Sequence, residues 1–124
     1  MKVLCIDDDP VFGLVVEKLF KKINPHVDVV VETTGDTSLN FLKLQEKVNL
    51  PDVILLDINL SKFYAFDLIT LFKSKGFGEI PIFLITSSIF SEDVMKANLE
   101  PMVKGVFKKP FMSSQASQIL NSVA

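Results

Sequence analysis

Short runs of apolar residues recur along the chain and predict the strands of a sheet. Three of these runs, Val3–Ile6, Val53–Leu56 and Ile82–Ile85, are apolar throughout and rich in Val, Ile and Leu. Continuous apolar runs are typical of strands covered on both faces, as the strands of a parallel sheet are. Two further segments, Val27–Glu32 and Gly105–Phe107 with its neighbours, complete a predicted set of five strands.

Between the strands, apolar residues recur three and four positions apart, a spacing that predicts amphipathic helices. The predicted helices are Val11–Ile23, Thr37–Lys47, Ala65–Lys75, Ser91 to about Leu99, and Ser113–Val123. The first helix carries one apolar stripe, the face that an amphipathic helix is expected to bury. That stripe consists of Val11, Leu14, Val15, Leu19 and Ile23.

Local signals predict where several helices begin and end. The residue before a proline avoids helical geometry, so Asn24 and Pro25 should end the first helix. Gly76 should end the third helix, since glycine commonly follows the last helical turn. Ser91, followed by acidic residues, is expected to cap the fourth helix.

Strand and helix alternate five times, and this order predicts an α/β fold with an open parallel sheet and right-handed crossovers. The length of 124 residues suits one ordinary domain. No internal repeat, low-complexity segment or linker interrupts the alternation. We therefore expect a single domain over residues 1–124, with no effector domain in this chain.

Composition narrows the expected partners. The formal net charge of −2 comes from 13 basic and 15 acidic residues, unlike the basic surface of a nucleic-acid-binding domain. No apolar run has the length of a signal peptide core or a membrane span. The single cysteine, Cys5, cannot form an internal disulfide, which fits a reducing compartment. We expect a cytoplasmic protein with no direct nucleic-acid or membrane partner.

Chemically active residues follow four of the predicted strands. Three consecutive acids, Asp7–Asp9, follow the first strand, Asp57 follows the third, Thr86 the fourth and Lys109 the fifth. Function in such folds collects at the carboxyl ends of the strands. Clustered carboxylates repel unless a cation lies among them, and hard oxygen ligands suit Mg²⁺. With Lys109 and Thr86 beside the metal, Asp57 is a candidate nucleophile for phosphoryl transfer.

Each of these residues also has a simple structural explanation. Asp9 can cap the first helix, with Pro10 in the first turn. Asp57 can be an ordinary strand-ending acid, Thr86 a β-branched strand residue and Lys109 a solvated surface lysine. The functional interpretation rests on all of them falling on adjacent strand ends.

Several motifs give the chain a specific resemblance. Val3-Leu4-Cys5-Ile6-Asp7-Asp8-Asp9-Pro10, Ile54-Leu55-Leu56-Asp57-Ile58-Asn59 and Lys109-Pro110-Phe111, together with Thr86, resemble the motifs of response-regulator receiver domains of two-component signalling. The resemblance covers essentially the whole chain. It implies a flavodoxin-like sheet of strand order 2-1-3-4-5. It also implies a switch that a histidine kinase or phosphotransfer protein phosphorylates and that signals to a separate effector protein.

The resemblance further implies a role for each site residue. Asp57 accepts the phosphoryl group, and Asp8 and Asp57 bind Mg²⁺ directly. The backbone carbonyl of Asn59 supplies a third protein ligand, and Asp7 acts through a water bound to the metal. Of the two remaining site residues, Lys109 pairs with the phosphoryl oxygens and Thr86 hydrogen-bonds one of them. Such a domain catalyses only its own phosphorylation and dephosphorylation, and its output surface surrounds the fourth helix and fifth strand.

Two departures from the family pattern leave an alternative open. The loop Ser61–Ala65 replaces a usual Pro-Gly-Met-Asp-Gly sequence, and Val106 replaces an aromatic residue that swings inward on activation. Within the loop, Phe63 and Tyr64 are either a partner contact or buried aromatics, and Ser87 competes with Thr86 for the hydroxyl role. The alternative is a pseudo-receiver, a protein-binding module that works without phosphorylation.

Two other classes fit the sequence less well. Phosphohydrolases of the haloacid dehalogenase type place the nucleophile after the first strand, with a second Asp two residues on and a substrate cap. A flavodoxin has a Ser/Thr/Gly-rich phosphate loop after its first strand, where this chain has Asp7–Pro10.

Overall fold

The computed structural model describes residues 1–123. Within them, strands and helices alternate as predicted. The elements are β1 Lys2–Ile6, α1 Pro10–Ile23, β2 Asp28–Glu32, α2 Gly35–Leu44, β3 Val53–Asp57, α3 Ala65–Ser74, β4 Ile82–Thr86, α4 Ser91–Asn98, β5 Val103–Lys108 and α5 Ser113–Val123. A short 3₁₀ helix, Lys47–Asn49, precedes β3.

The five strands form one parallel sheet in the order β2-β1-β3-β4-β5, which confirms the predicted fold. The central strands β1 and β3 pair directly, with Cys5 opposite Leu55 and Ile6 opposite Leu56. Both strands end at the same edge of the sheet, β1 at Ile6 and β3 one register position later, at Asp57. The strand order reverses between β1 and β3, so this edge is the crevice in which doubly wound folds bind ligands.

Two apolar cores cover the two faces of the sheet. On one face, the sheet packs against α2, α3 and α4 through residues such as Leu42, Leu68 and Phe72. On the other face, it packs against α1 and α5 through residues such as Phe20 and Ile119. Both faces of β3 and β4 are buried, which explains why their sequences are apolar without alternation.

The predicted apolar stripe of α1 is wrong. Val11, Leu14, Val15 and Ile23 are 64%, 57%, 44% and 39% exposed, and Leu19 is half-buried. The helix instead buries Gly13, Val16 and Phe20. Gly13 faces the side chain of Val31 so closely that a Cβ atom there would overlap it, and this contact sets which face of the helix lies on β2.

Some helix ends also differ from the prediction. Helix α2 ends at Leu44 and not at Lys47, because the next residue, Gln45, has an extended backbone. The Gln45 side-chain amide donates a hydrogen bond to the Phe41 carbonyl at 3.1 Å, and its backbone N–H donates to the Leu42 carbonyl at 3.3 Å. Ser91 does not cap α4, since Phe90 holds that position without a side-chain hydrogen bond.

Other end signals are confirmed. Helix α1 ends at Ile23, before Asn24 and Pro25. Gly76, just past α3, has a φ of 90°, which glycine adopts most readily. Within residues 1–123, every helix is too short or too polar to cross a membrane.

Candidate functional site

Three carboxylates meet at the carboxyl edge of the sheet. Asp7 and Asp8 follow β1, and Asp57 is the last residue of β3. One oxygen from each lies within 4.8 Å of the other two. Asp7 and Asp57 are buried, with 1% and 8% exposure, whereas Asp8 is exposed to solvent. The strand order therefore brings together the acids that the sequence placed on separate strands.

Hydrogen bonds orient all three carboxylates. The backbone N–H of Asp9 donates to Asp7 Oδ1 at 2.9 Å, and the backbone N–H of Asn59 donates to Asp57 Oδ1 at 3.1 Å. Both are bonds from the residue two positions on, a pattern that aspartate forms readily where a strand turns into a loop. The Ser61 hydroxyl donates to Asp8 Oδ2 at 2.5 Å. The acids are thus held in place before any ligand binds.

Lys109 supplies the positive charge inside this cluster. Its ammonium lies 2.8 Å from Asp7 Oδ2 and 3.6 Å from Asp57 Oδ2. The same nitrogen lies 4.4 Å from the ring centroid of Phe12, a cation–π contact from α1. The backbone N–H of Lys109 donates to the Thr86 carbonyl at 2.8 Å, which ties the residue after β5 to the end of β4.

The electrostatics favour a further cation. Burial raises the pKa of Asp57; the Asn59 N–H opposes the increase, the Asp7 charge adds to it, and Lys109 again opposes it. Burial alone would lower the pKa of Lys109, but its hydrogen bond to Asp7 and the charge of Asp57 raise it overall. The cluster therefore contains three carboxylates and one ammonium, which contacts Asp7 and Asp57. An all-oxygen donor set with excess negative charge fits Mg²⁺.

The predicted ligand Asn59 lies two residues beyond Asp57, and its backbone forms an antiparallel bridge with Tyr64. This bridge holds the loop from Ile58 to Tyr64 closed at its base. The Ala65 N–H closes the loop further by donating to the Ile58 carbonyl at 3.0 Å. The Asn59 carbonyl is thus part of a fixed turn beside the acid cluster.

Thr86 ends β4 and is buried, whereas the competing Ser87 is exposed. The Thr86 hydroxyl donates to the Ser88 carbonyl at 2.9 Å and accepts from the Ser88 N–H at 3.3 Å. The Thr86 hydroxyl is therefore engaged with the loop that leads into α4.

The structure gives Asp9 and Cys5 structural positions. Asp9 is the N-cap of α1, where its side chain accepts from the Val11 N–H at 3.0 Å, and Pro10 follows it as expected. Cys5 is fully buried in β1, and burial together with the Asp7 charge raises its pKa to about 12. The Cys5 thiol therefore stays protonated at neutral pH and is a core residue.

Sequence reasoning missed three contacts near this edge. Ser61, noted only as a departure from the family loop, hydrogen-bonds Asp8. The Tyr64 hydroxyl donates a hydrogen bond of 2.7 Å to Asp93 on α4. The ring of Phe63 packs against Gly35. The two loop aromatics are both half-buried. No local sequence signal links residues this far apart in the chain.

Comparisons with known proteins agree with this fold. The sequence matches the family model of the response regulator receiver domain over residues 3–121. A two-component response regulator from Cytophaga hutchinsonii is similar, with 26% sequence identity, a TM-score of 0.89 and coverage of 98% of this chain and 95% of that one. One from Legionella pneumophila is 27% identical, with a TM-score of 0.84 and coverage of 99% and 97%.

A third structure, that of the phosphorylated cyanobacterial phytochrome response regulator RcpA, is similar in fold. It is 23% identical, with a TM-score of 0.77, and the match covers 98% of this chain and 89% of that one. No curated protein gives a significant sequence match. The family model spans nearly all of the described residues, and the sheet order is the expected one. The chain belongs to the response-regulator receiver domain family of two-component signalling.

Proposed function

We propose that this chain accepts a phosphoryl group on Asp57 in a magnesium-dependent reaction and passes the signal to a separate effector protein. The donor is the phosphohistidine of a histidine kinase or a phosphotransfer protein. The observation that carries the proposal is the convergence of Asp7, Asp8 and Asp57 around the Lys109 ammonium at the edge of the sheet.

In the proposed reaction, an oxygen of the Asp57 carboxylate forms a bond to phosphorus while the bond from phosphorus to the donor nitrogen breaks. The electron pair of the broken bond stays on the imidazole. Asp8, Asp57 and the Asn59 carbonyl would hold Mg²⁺, and Asp7 would act through water. Bound there, the ion would supply positive charge to the phosphoryl oxygens. Hydrolysis of the aspartyl phosphate by water then restores the carboxylate.

The protein's own cation and hydroxyl complete the site. The Lys109 ammonium, already 3.6 Å from Asp57, is positioned to pair with a phosphoryl oxygen. Thr86 would leave the Ser88 carbonyl and donate its hydrogen bond to another phosphoryl oxygen. This exchange alters the loop before α4, and the surface formed by α4 and β5 changes with it.

The test uses a small phosphodonor. The protein is incubated with Mg²⁺ and acetyl phosphate, and its intact mass is measured, alongside Asp57→Asn and a magnesium-free sample. Asp67→Asn, which removes an exposed acid from α3, is the matched control. We expect one phosphoryl adduct in the wild type and in Asp67→Asn, and none in Asp57→Asn or without magnesium.

The altered loop and Val106 favour a second candidate, a pseudo-receiver that binds its partner without phosphorylation. Val106 is half-buried beside α4, where the family commonly has an aromatic residue. A folded wild-type protein that forms neither the adduct nor a complex with beryllofluoride would favour this candidate over the phosphorylated switch.

A further inference from the structure

Tyr64 lies between the candidate metal site and helix α4. Its backbone pairs with that of Asn59, whose carbonyl is the proposed metal ligand. Its hydroxyl donates a hydrogen bond of 2.7 Å to Asp93 Oδ1 in the first turn of α4. One residue therefore joins the loop after Asp57 to a helix of the proposed output surface.

The Asp93 side chain makes this contact strong. Asp93 is only 7% exposed, and Tyr64 is the one hydrogen-bond donor to its carboxylate within residues 1–123. A carboxylate that is buried loses its hydrogen bonds to water. Removing the hydroxyl that replaces this water therefore costs free energy. Lys96 reinforces the contact, because its ammonium lies 4.7 Å from the Tyr64 ring centroid and 3.4 Å from the hydroxyl.

Helix α4 has few other attachments. It has eight residues, of which Asp93 and Ala97 are buried. Its outer side exposes Met95 by 65%, with Phe90 and Leu99 exposed at its ends. A groove of about 440 Å³, lined partly by Val94 and Val106, runs between α4 and β5. Within residues 1–123, the hydrogen bonds from the side chains of α4 to other elements go only to Tyr64.

The second attachment of this region leads to the same site. The Ser88 carbonyl, three residues before α4, accepts a hydrogen bond from the Thr86 hydroxyl. If Thr86 turns toward a phosphoryl group, this attachment is lost. The Tyr64–Asp93 hydrogen bond does not involve Thr86, and its Tyr64 end is paired with Asn59.

We infer that Tyr64 is a positioning residue that holds α4 through Asp93 and transmits movement of the Asn59 turn to it. The pair links the site to α4 in a chain that has Val106 where the family commonly has an aromatic residue. The transmission rests on the proposed function, since phosphorylation supplies the movement. The holding of α4 does not, because it is a property of the unmodified protein.

The first experiment measures amide hydrogen exchange by NMR in the unmodified, magnesium-free protein. Tyr64→Phe removes the hydroxyl and keeps the ring. We expect exchange of the α4 amides to accelerate about tenfold, as loss of a hydrogen bond to a charged group predicts, with the β3 and β4 amides unchanged. Ser74→Ala, which removes a hydroxyl that bonds within α3, should leave α4 exchange at the wild-type rate. Wild-type exchange of α4 in Tyr64→Phe would overturn the inference.

The second experiment adds Mg²⁺ and beryllofluoride, a phosphoryl stand-in, and compares amide shifts. In the wild type, we expect shifts near Asp57 and in α4. In Tyr64→Phe, those near Asp57 should remain while those in α4 shrink by at least half. Equal α4 shifts in both proteins would overturn the transmission. A wild type with no shifts near Asp57 would overturn the proposed function instead, and the exchange experiment would still decide whether Tyr64 holds α4.

Discussion

At the scale of single residues, Lys109 shows how charge is balanced before a metal binds. Its ammonium is the one cation within 4 Å of the acid cluster in the described part of the chain, at 2.8 Å from the buried Asp7. Lys109→Met keeps an unbranched apolar side chain and removes the charge. Without metal, the variant should be destabilised by about 2 to 3 kcal/mol, because the buried Asp7 carboxylate loses its partner. The loss is smaller than for a fully buried pair, since the lysine side chain is 25% exposed.

Adding Mg²⁺ should reduce this loss, since the ion supplies positive charge to the same carboxylates. Urea unfolding with EDTA and with excess Mg²⁺ measures both values. Lys108→Met, at an exposed neighbouring position, should change stability little in either condition. An equal loss with and without magnesium in Lys109→Met would mean that the lysine and the ion do not share a site.

The residue scale is also where sequence reasoning succeeded and failed most clearly. Asp7 and Asp57 could be found because each directly follows a continuous apolar run, and Lys109 because it follows a predicted strand. Ser61 and Asp93 could not, because their partners lie 53 and 29 positions away and neither residue type signals such a contact. Side-chain pairs of this kind depend on the packing of whole elements.

At the scale of elements, Glu100 clamps the end of α3 to the turn between α4 and β5. Its carboxylate accepts from the Lys73 ammonium at 2.8 Å and from the Met102 N–H at 3.0 Å. Burial alone would raise the pKa of Glu100, but the hydrogen bonds from Lys73 and Met102 outweigh it and lower the pKa overall. The charged form is therefore the one that stabilises the folded protein.

Because the folded pKa of Glu100 is lowered, its contribution is complete above the ordinary carboxylate pKa and is lost as the pH falls through the folded value. Glu100→Gln should reduce the free energy of unfolding by about 0.5 to 1 kcal/mol at neutral pH, a small value since Lys73 is 47% exposed. The difference should disappear as the pH falls through the folded pKa of Glu100, which lies below its ordinary value. Chemical unfolding from neutral to acidic pH measures this difference, with the exposed Glu79→Gln as the control. A difference that does not depend on pH would mean that the charge of Glu100 does not stabilise the folded protein.

Element positions were predicted better than element faces. Strands β3 and β4 are buried on both faces, so their sequences stand out as apolar runs. Both strands lie where the sequence predicts them. Helix α1 is apolar around much of its circumference, so spacing alone selects more than one stripe. The close approach of Gly13 to Val31 decides the face, and that contact exists only once β2 lies beside the helix.

At the scale of the whole molecule, the parallel sheet gathers residues separated by a hundred positions. Asp7 and Lys109 are 102 residues apart and yet hydrogen-bonded, because β1 and β5 end at the same edge. The alternation of strand and helix was enough to predict this edge. The link from the edge to α4 through Tyr64 was not predictable, because the loop Ser61–Ala65 departs from the family pattern.

The central claim is that Asp57 is the residue that carries the phosphoryl group. The most direct measurement treats the phosphorylated protein with borohydride, which reduces an acyl phosphate to an alcohol, and then maps the modified residue by peptide mass spectrometry. Phosphorylation of Asp57 predicts homoserine at position 57 and unmodified aspartate at Asp7 and Asp8. Modification at Asp7 or Asp8 with Asp57 intact would contradict it, as would a phosphorylated protein in which no aspartate is reduced.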